Sequence, residues 1–406
     1  MKARFEDVVA RDAPRVLGAL VRRYGSVADC EDAVQLALMA ALQQWPLEGT
    51  PTDPRAWLMT VARRRLVDDV RSSTARKDRE SLHLAGVSWT TDPFDGASPA
   101  GDDTLSCLLL CSNPALSRAS QVALTLRVVS GLTTAQIASA FFVPESTMGQ
   151  RISRAKNTLR KAGVDFRDDN RATDERLSAV RHILYLVFNE GYTSSGGQAL
   201  LDVGLASEAI RLTRQLLRTA PGDSETMGLL GLMLLTHSRA ATRTDERGDL
   251  VVLAEQDRSR WDHDAIAEGV RLVERALVSG PVGPFQIQAA IAAIHAEART
   301  WAETDWPQIL LLYEMLEKMN PGPAVSVNLA VATAMADTPE AGLAITRSLL
   351  DDPALSRNHR VHGVHAHLLS MAGDLDGAAA CFSRAATLAT SAPEQRYLLK
   401  MAAQRP

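Results

Sequence analysis

Apolar residues recur at spacings of three and four through residues 5 to 79, the periodicity of amphipathic helices, with breaks at YGS around Gly25 and at PLEGTPTDP from Pro46 to Pro54. The pattern lapses between residues 82 and 104, where Asp92, Pro93, Asp95, Gly96, Ser98, Pro99 and Gly101 stand among other turn formers without any Lys or Arg. We read 81 to 112 as an acidic linker. Helical periodicity returns from 113 to 163, pauses in the polar patch Asp165 to Asp174, and then fills most of 175 to 406, broken by APGD, SGPVGP, NPGP and AGD. Period-two strand runs are missing. The expectation is an all-α chain: two small helical domains, at 1 to 80 and 113 to 163, followed by a longer helical array.

The end of that array is its clearest part. In HLLSMAGDLDGAAACFSRAATLA, Gly373-Asp374 breaks two helical stretches, and Ala378, Phe382 and Ala385 follow at spacings of four and three. Small and aromatic residues in that order interlock antiparallel helices in tetratricopeptide-like repeats. Weaker copies are expected around Ala209 to Pro221 and Tyr313 to Leu350.

Residues 131 to 162 predict a helix-turn-helix. Thr133 with Gln136 forms a capping box that starts one helix, burying Ile137 and Phe141, and Pro144 suits the first position of the next. On that second helix Met148, Ile152, Ala155 and Leu159 make the buried stripe. Ser146, Thr147, Gln150, Arg151, Arg154 and Lys156 are the candidates for DNA contact: short polar groups near the N-terminus reach base edges, while Arg and Lys neutralise phosphates. Residues 115 to 163 carry seven Lys or Arg against the one carboxylate of Glu145.

Charge supports that placement. The net charge of -4 divides into 21 basic against 17 acidic residues over 1 to 163, and 23 against 31 over 164 to 406, so the first portion is the one fitted to a polyanion.

Two N-terminal helices carry further signals. In DCEDAVQLALMAALQQW, Val34, Leu38, Ala41, Leu42 and Trp45 form an apolar side, leaving Asp32, Gln35, Leu36 and Met39 on another side as a mixed acidic and apolar docking face. In RAWLMTVARRRLVDDVRS, Trp57, Leu58, Val61, Ala62 and Leu66 are apolar, and Thr60, Arg63, Arg64 and Arg71 make a cationic row that can follow a phosphate backbone while the threonine meets an unstacked base. These residues alone also fit a sensor-type helix-turn-helix activator or repressor. The Asp32, Gln35 and Met39 face distinguishes the readings, because a repressor has no need of it.

Together, and in this order, the three segments resemble an extracytoplasmic-function sigma factor of the sigma-70 family. By that resemblance Asp32, Gln35, Leu36 and Met39 would dock on the clamp helices of the largest subunit of core RNA polymerase. Thr60, Arg63, Arg64 and Arg71 would open and read the -10 element of promoter DNA, and the 131 to 162 hairpin would bind the -35 element. Two departures stand out: Leu36 follows Gln35 where the family usually has Glu, and Arg64 stands where Asn is common. Strings such as ILYLVFNEGYTSSGG, LAEQDRSRWD and TDWPQILLLYEML resemble the extension of one sigma-factor subgroup, which implies a regulatory tetratricopeptide-like domain and an intramolecular contact with the sigma domains.

Enzymatic, metal and membrane chemistry is not expected. There is no nucleotide loop, GxSxG, HExxH or paired-Cys motif, and no cofactor is called for. His359, His362, His365 and His367 cluster without interleaved carboxylates and read as helix surface and core, as does His295. Tryptophans beside acids at Asp257 to Trp261 and Asp305-Trp306 read as packing and capping. Cys30, Cys107, Cys111 and Cys381 read as reduced thiols, and with no apolar span of bilayer length the expected compartment is the cytoplasm.

Overall fold

A computed structural model describes residues 27–77, 102–130, 132–141, 143–162, 174–192 and 203–404, and parts of 12–24. The fold is all-α: among the described residues there is no strand, only an isolated bridge between Thr244 and Leu250. The chain divides into two compact units, the first comprising residues 1–139 and 143–183, the second 140–142 and 184–406.

The first unit begins with α1 (Val27–Glu48) and α2 (Pro54–Lys77). Gly49 closes α1 at φ 88°, donating its N–H to Trp45 O at 3.0 Å, a left-handed cap that a side chain would strain. The sequence break set at Pro46 comes slightly early: α1 runs through Pro46 to Glu48, although the proline brings no N–H to the carbonyl of Leu42. Cys30, Val34, Ala37, Leu38, Ala41 and Trp45 face Leu58, Ala62 and Leu66, with the Trp45 and Trp57 rings edge to face at 5.4 Å. Leu42, expected on this buried side, is 55% exposed instead.

The tail of the expected linker is structured. Residues 102–111 form α3 (Asp102–Cys111), because Cys107, Leu108, Leu110 and Cys111 supply an apolar face that is buried; the acidic turn formers before it lie outside the described residues. It packs on α4 (Arg118–Val128), whose N-cap Ser117 accepts from Ser120 N. Then come α5 (Thr134–Ala140) and α6 (Glu145–Lys161).

Helix α7 (Asp174–Tyr192) leads to the second unit, a succession of helices: α8 (Val203–Thr219), α9 (Ser224–His237), α10 (His263–Ser279), α11 (Pro284–Glu297), α12 (Trp306–Met319), α13 (Pro323–Ala336), α14 (Pro339–Asp351), α15 (His359–Met371), α16 (Leu375–Leu388) and α17 (Ala392–Ala403). From α9 onward each helix packs on the helices adjacent to it in sequence, and α9 packs extensively on α11 as well, as in an α-repeat array. Close approach depends on small residues: a Cβ on Gly342 of α14 would stand 2.5 Å from Ala330 O of α13. Ala378, Phe382 and Ala385 of α16 are buried against Ala366 and Leu369 of α15, the interlock expected from their spacing. Caps mark many helix starts, with Asp262, Asp305, Thr338, Asn358 and Asp374 each accepting from a backbone N–H. Trp261 and Trp306 are buried beside capping acids, so the acid and tryptophan pairs are structural.

Candidate nucleic-acid interface

The capping box forms as its residue types require. Thr133 N donates to Gln136 Oε1 at 2.8 Å and Gln136 N donates to Thr133 Oγ1 at 3.1 Å, fixing the start of α5. Ile137 is buried, whereas Phe141, expected with it, lies just past the end of α5 and is only half-buried. Pro144 is the N-cap of α6 rather than its first helical residue, an offset of one position that still leaves its absent N–H without consequence.

Helix α6 buries Met148, Ile152, Ala155 and Leu159, and α4 packs beneath it with Val122, Leu124, Leu126 and Val128. That buried stripe fixes the rotation of the helix about its axis, so the other face must be outward. Ser146, Thr147, Gln150 and Arg154 are exposed there and Arg151 is half-buried. The Arg154 guanidinium lies 3.4 Å from Gln150 Oε1, so the two side chains share one patch. Basic residues also gather toward the C-terminal end, where Arg160 donates to Asn157 Oδ1 at 3.0 Å.

Lys156 differs from the other candidates. Its ammonium pairs with Glu31 of α1, and its side chain is only 16% exposed. Glu31 also accepts from Arg127 Nε of α4 at 2.7 Å, while Arg127 Nη1 donates to Leu132 O at 3.0 Å. One carboxylate, 5% exposed, thus joins α1 to both α4 and α6. Sequence reasoning missed Glu31, although its spacing of three and seven residues from Val34 and Leu38 puts it on the buried stripe of α1. A carboxylate on such a stripe signals a cationic partner elsewhere in the fold.

On α1, Asp32, Gln35, Leu36 and Met39 are all exposed, Leu36 at 40% and Met39 at 56%. Leu42 and Leu47 extend the same apolar exposure along the helix. On α2, Thr60 and Arg64 are exposed and Arg63 is half-buried; the Thr60 hydroxyl donates to Ala56 O at 2.8 Å, leaving its oxygen to accept. The Arg71 side chain lies outside the described residues.

Among the described residues no group of three His, Cys, Asp or Glu could hold a metal ion, and Cys30, Cys107, Cys111 and Cys381 form no disulfide. Burial pushes the Cys30 thiol up to about 12 and raises Cys111 further, so both stay protonated. His365 is buried against Thr346, Nδ1 to Oγ1 at 2.8 Å, and His362 Nε2 lies 2.8 Å from Ser356 O. Among the described residues no helix is long and apolar enough to cross a membrane.

Comparison with known proteins agrees with this geometry. The sequence model of Sigma-70 region 2 matches residues 8–76, that of Sigma-70 region 4 matches 114–159, and a family of unknown function matches 176–277. An uncharacterised protein of Rhizobium meliloti (strain 1021) is 44% identical over 392 residues, covering 95% of this chain and 92% of that one. The ECF RNA polymerase sigma factor SigL of Mycobacterium tuberculosis (strain H37Rv) is 33% identical over 141 residues, 34% of this chain and 77% of its own length. SigK of Mycobacterium ulcerans (strain Agy99), another ECF RNA polymerase sigma factor, is 32% identical over 117 residues, 28% of this chain and 60% of its own length. The exposed polar and basic face of α6, the exposed apolar and acidic face of α1 and these matches lead to one conclusion: the chain belongs to the ECF sigma factors of RNA polymerase.

Proposed function

We propose that this sigma factor docks on the clamp helices of core RNA polymerase through Asp32, Gln35, Leu36 and Met39 and places two cationic helices on a promoter. Thr60, Arg63, Arg64 and Arg71 of α2 serve the -10 element; Ser146, Thr147, Gln150, Arg151 and Arg154 of α6 serve the -35 element, and Lys156 joins them once parted from Glu31. The domains in this reading are 1–80 and 113–163, with 175–406 a regulatory extension that modulates activity. The setting is the cytoplasm, at the nucleoid when polymerase is bound.

The observation that carries the reading is the exposure of Leu36 and Met39 between Asp32 and Gln35 on a helix whose other side is packed. An apolar face rimmed by polar groups is the form of a protein docking surface. A helix-turn-helix repressor binds DNA without one.

Transcription in vitro with core polymerase freed of other sigma factors tests it. The purified chain should direct initiation at a defined start, and a Leu36→Asp, Met39→Asp variant should lose that start while keeping its fold and its affinity for -35 duplex. Promoter-specific initiation by the double variant at the original level overturns the docking assignment.

A further inference from the structure

A cavity of about 40 Å3, partly open, lies in the second unit between α9, α11 and the segment from Leu253 to Trp261. Leu235, Leu253, Ala292 and Ala296 give its lining an apolar part, and Thr236, Arg239, Trp261 and His295 supply the rest of the chemistry. That volume is several times the ~10–15 Å3 that admits one water, so a group of a few heavy atoms fits.

The surroundings are cationic beyond what the fold itself compensates. Arg239 and Arg243 lie over the Tyr192 ring, at 5.8 and 3.7 Å from its centroid, and Arg258 lies over Trp261 at 4.8 Å. Among the described residues none of the three guanidinium groups makes an ion pair; Glu303 and Glu394 influence Arg258 and Arg243 only from a distance. Two carboxylates close to Arg258 and Trp261 in sequence are engaged as caps, Asp257 accepting from Ser259 N at 3.0 Å and Asp262 from Ala265 N at 2.9 Å.

Hydrogen-bonding capacity is also left over. Arg258 Nη1 donates to His295 O and Ala298 O at the end of α11, yet its Nη2 is buried without a partner among the described residues, as are His295 Nδ1 and Tyr192 Oη. Native proteins leave few such groups, because each forfeits its solvation. The Arg239 side chain, which borders the cavity itself, makes no ion pair among the described residues and lies over the Tyr192 ring. A cation without a counterion beside a small, partly apolar and partly open pocket matches a planar carboxylate carrying a short hydrocarbon part. A tetrahedral phosphate dianion would place an oxygen against Leu235, Leu253 or Ala292.

We propose that this cavity binds the carboxylate of a small organic acid, with Arg239 as the anion partner, Trp261 as an aromatic wall and the aliphatic side as the seat of the acid's short carbon chain. The site belongs to the second unit alone and does not depend on the promoter-binding reading.

Thermal unfolding and isothermal titration of the full chain with sodium acetate and sodium propionate, against chloride and phosphate at matched ionic strength, test the proposal. The expected result is saturable binding of the carboxylates, with an unfolding midpoint higher by a few degrees at concentrations about 100-fold above Kd. Chloride and phosphate should leave the midpoint within one degree or so of its starting value at that ionic strength. Arg239→Gln should weaken carboxylate binding at least tenfold. Ala292→Leu, which fills the cavity from α11, should do the same without touching the charge. Equal responses to all four salts, a preference for phosphate, or unchanged carboxylate affinity in both folded variants overturns it.

Discussion

The ammonium of Lys156, on α6, is ion-paired with the carboxylate of Glu31, on the helix α1 whose opposite face is the polymerase-docking candidate. Arg127 shares the same carboxylate, so a buried acid is neutralised by two cations, one from α4 and one from α6. Such a group is stable only as a set, since removing the acid leaves two crowded like charges.

Glu31→Gln should therefore lower the stability of the first unit by about 3 kcal/mol, the scale for stripping one partner from a buried pair. Chemical denaturation followed by circular dichroism would measure it. The same change releases Lys156 for phosphate contact, so the affinity of the free protein for a -35 duplex should rise and its salt dependence should steepen by about one counterion. Lys156→Ala should abolish that gain. A salt slope equal in wild type and Glu31→Gln would mean that Glu31 does not compete with DNA for Lys156.

Met39 is 56% exposed, more than Leu36 beside it, so it has little intramolecular packing to lose. Met39→Asp is expected to leave the unfolding midpoint within a degree or two. Its affinity for core polymerase should fall tenfold or more, about 1.4 kcal/mol, because a charge would be desolvated in the centre of an interface. Competition for core polymerase against a labelled sigma factor measures this, and Gln43→Asp, beyond the central patch on the same helix, provides a comparison expected to cost less.

Gln150 and Arg154 lie side by side on the exposed face of α6. Each changed to Ala should weaken promoter binding by ~1–3 kcal/mol and relax sequence preference at its own position, whereas Arg160→Ala, farther along the helix, should weaken all sequences alike. Anisotropy titrations with single-base variants of the -35 duplex separate these outcomes. Uniform losses for all three would make the contact one with backbone phosphates only.

How far the sequence carried the reading depends on the range of the interaction concerned. The capping box at Thr133 and Gln136, the stripe from Met148 to Leu159 and the Ala378, Phe382, Ala385 interlock are local periodicities, and each appears where its spacing puts it. Leu42 was misplaced because a helix of this length has apolar residues over a wide arc, and periodicity does not say how much of that arc the partner helix covers. The tail of the linker was misread because Asp102 and Asp103 look like turn residues until the apolar run Leu105 to Cys111 is seen to need burial. Glu31 with Lys156 and Arg127 joins positions about a hundred residues apart, and no local pattern encodes that pairing. The cavity beside Arg239 is likewise assembled from three separate segments, with two or three residues from each.

His295 gives the second unit a defined response to acid. Burial, with Arg239 and Arg258 nearby, pushes its imidazole down from 6.5 to about 4, so it is neutral in the folded chain at neutral pH. Between those two values the unfolded chain binds a proton that the folded chain does not, so stability rises with pH across this window. The contribution is complete above the unfolded value near 6.5 and is lost as pH falls toward 4. The loss amounts to roughly 3 kcal/mol for this one group. His237, His365 and His367 are shifted the same way by burial and act in the same direction, so the comparison must be with a variant rather than with a calculated baseline. His295→Gln keeps a polar group of similar reach and removes the titration. Its unfolding free energy should fall less steeply than that of wild type between pH 6.5 and 4, the two curves differing in slope there and running parallel above pH 7. Curves of equal slope throughout would show that the imidazole is reached by solvent and titrates as it does in the unfolded chain.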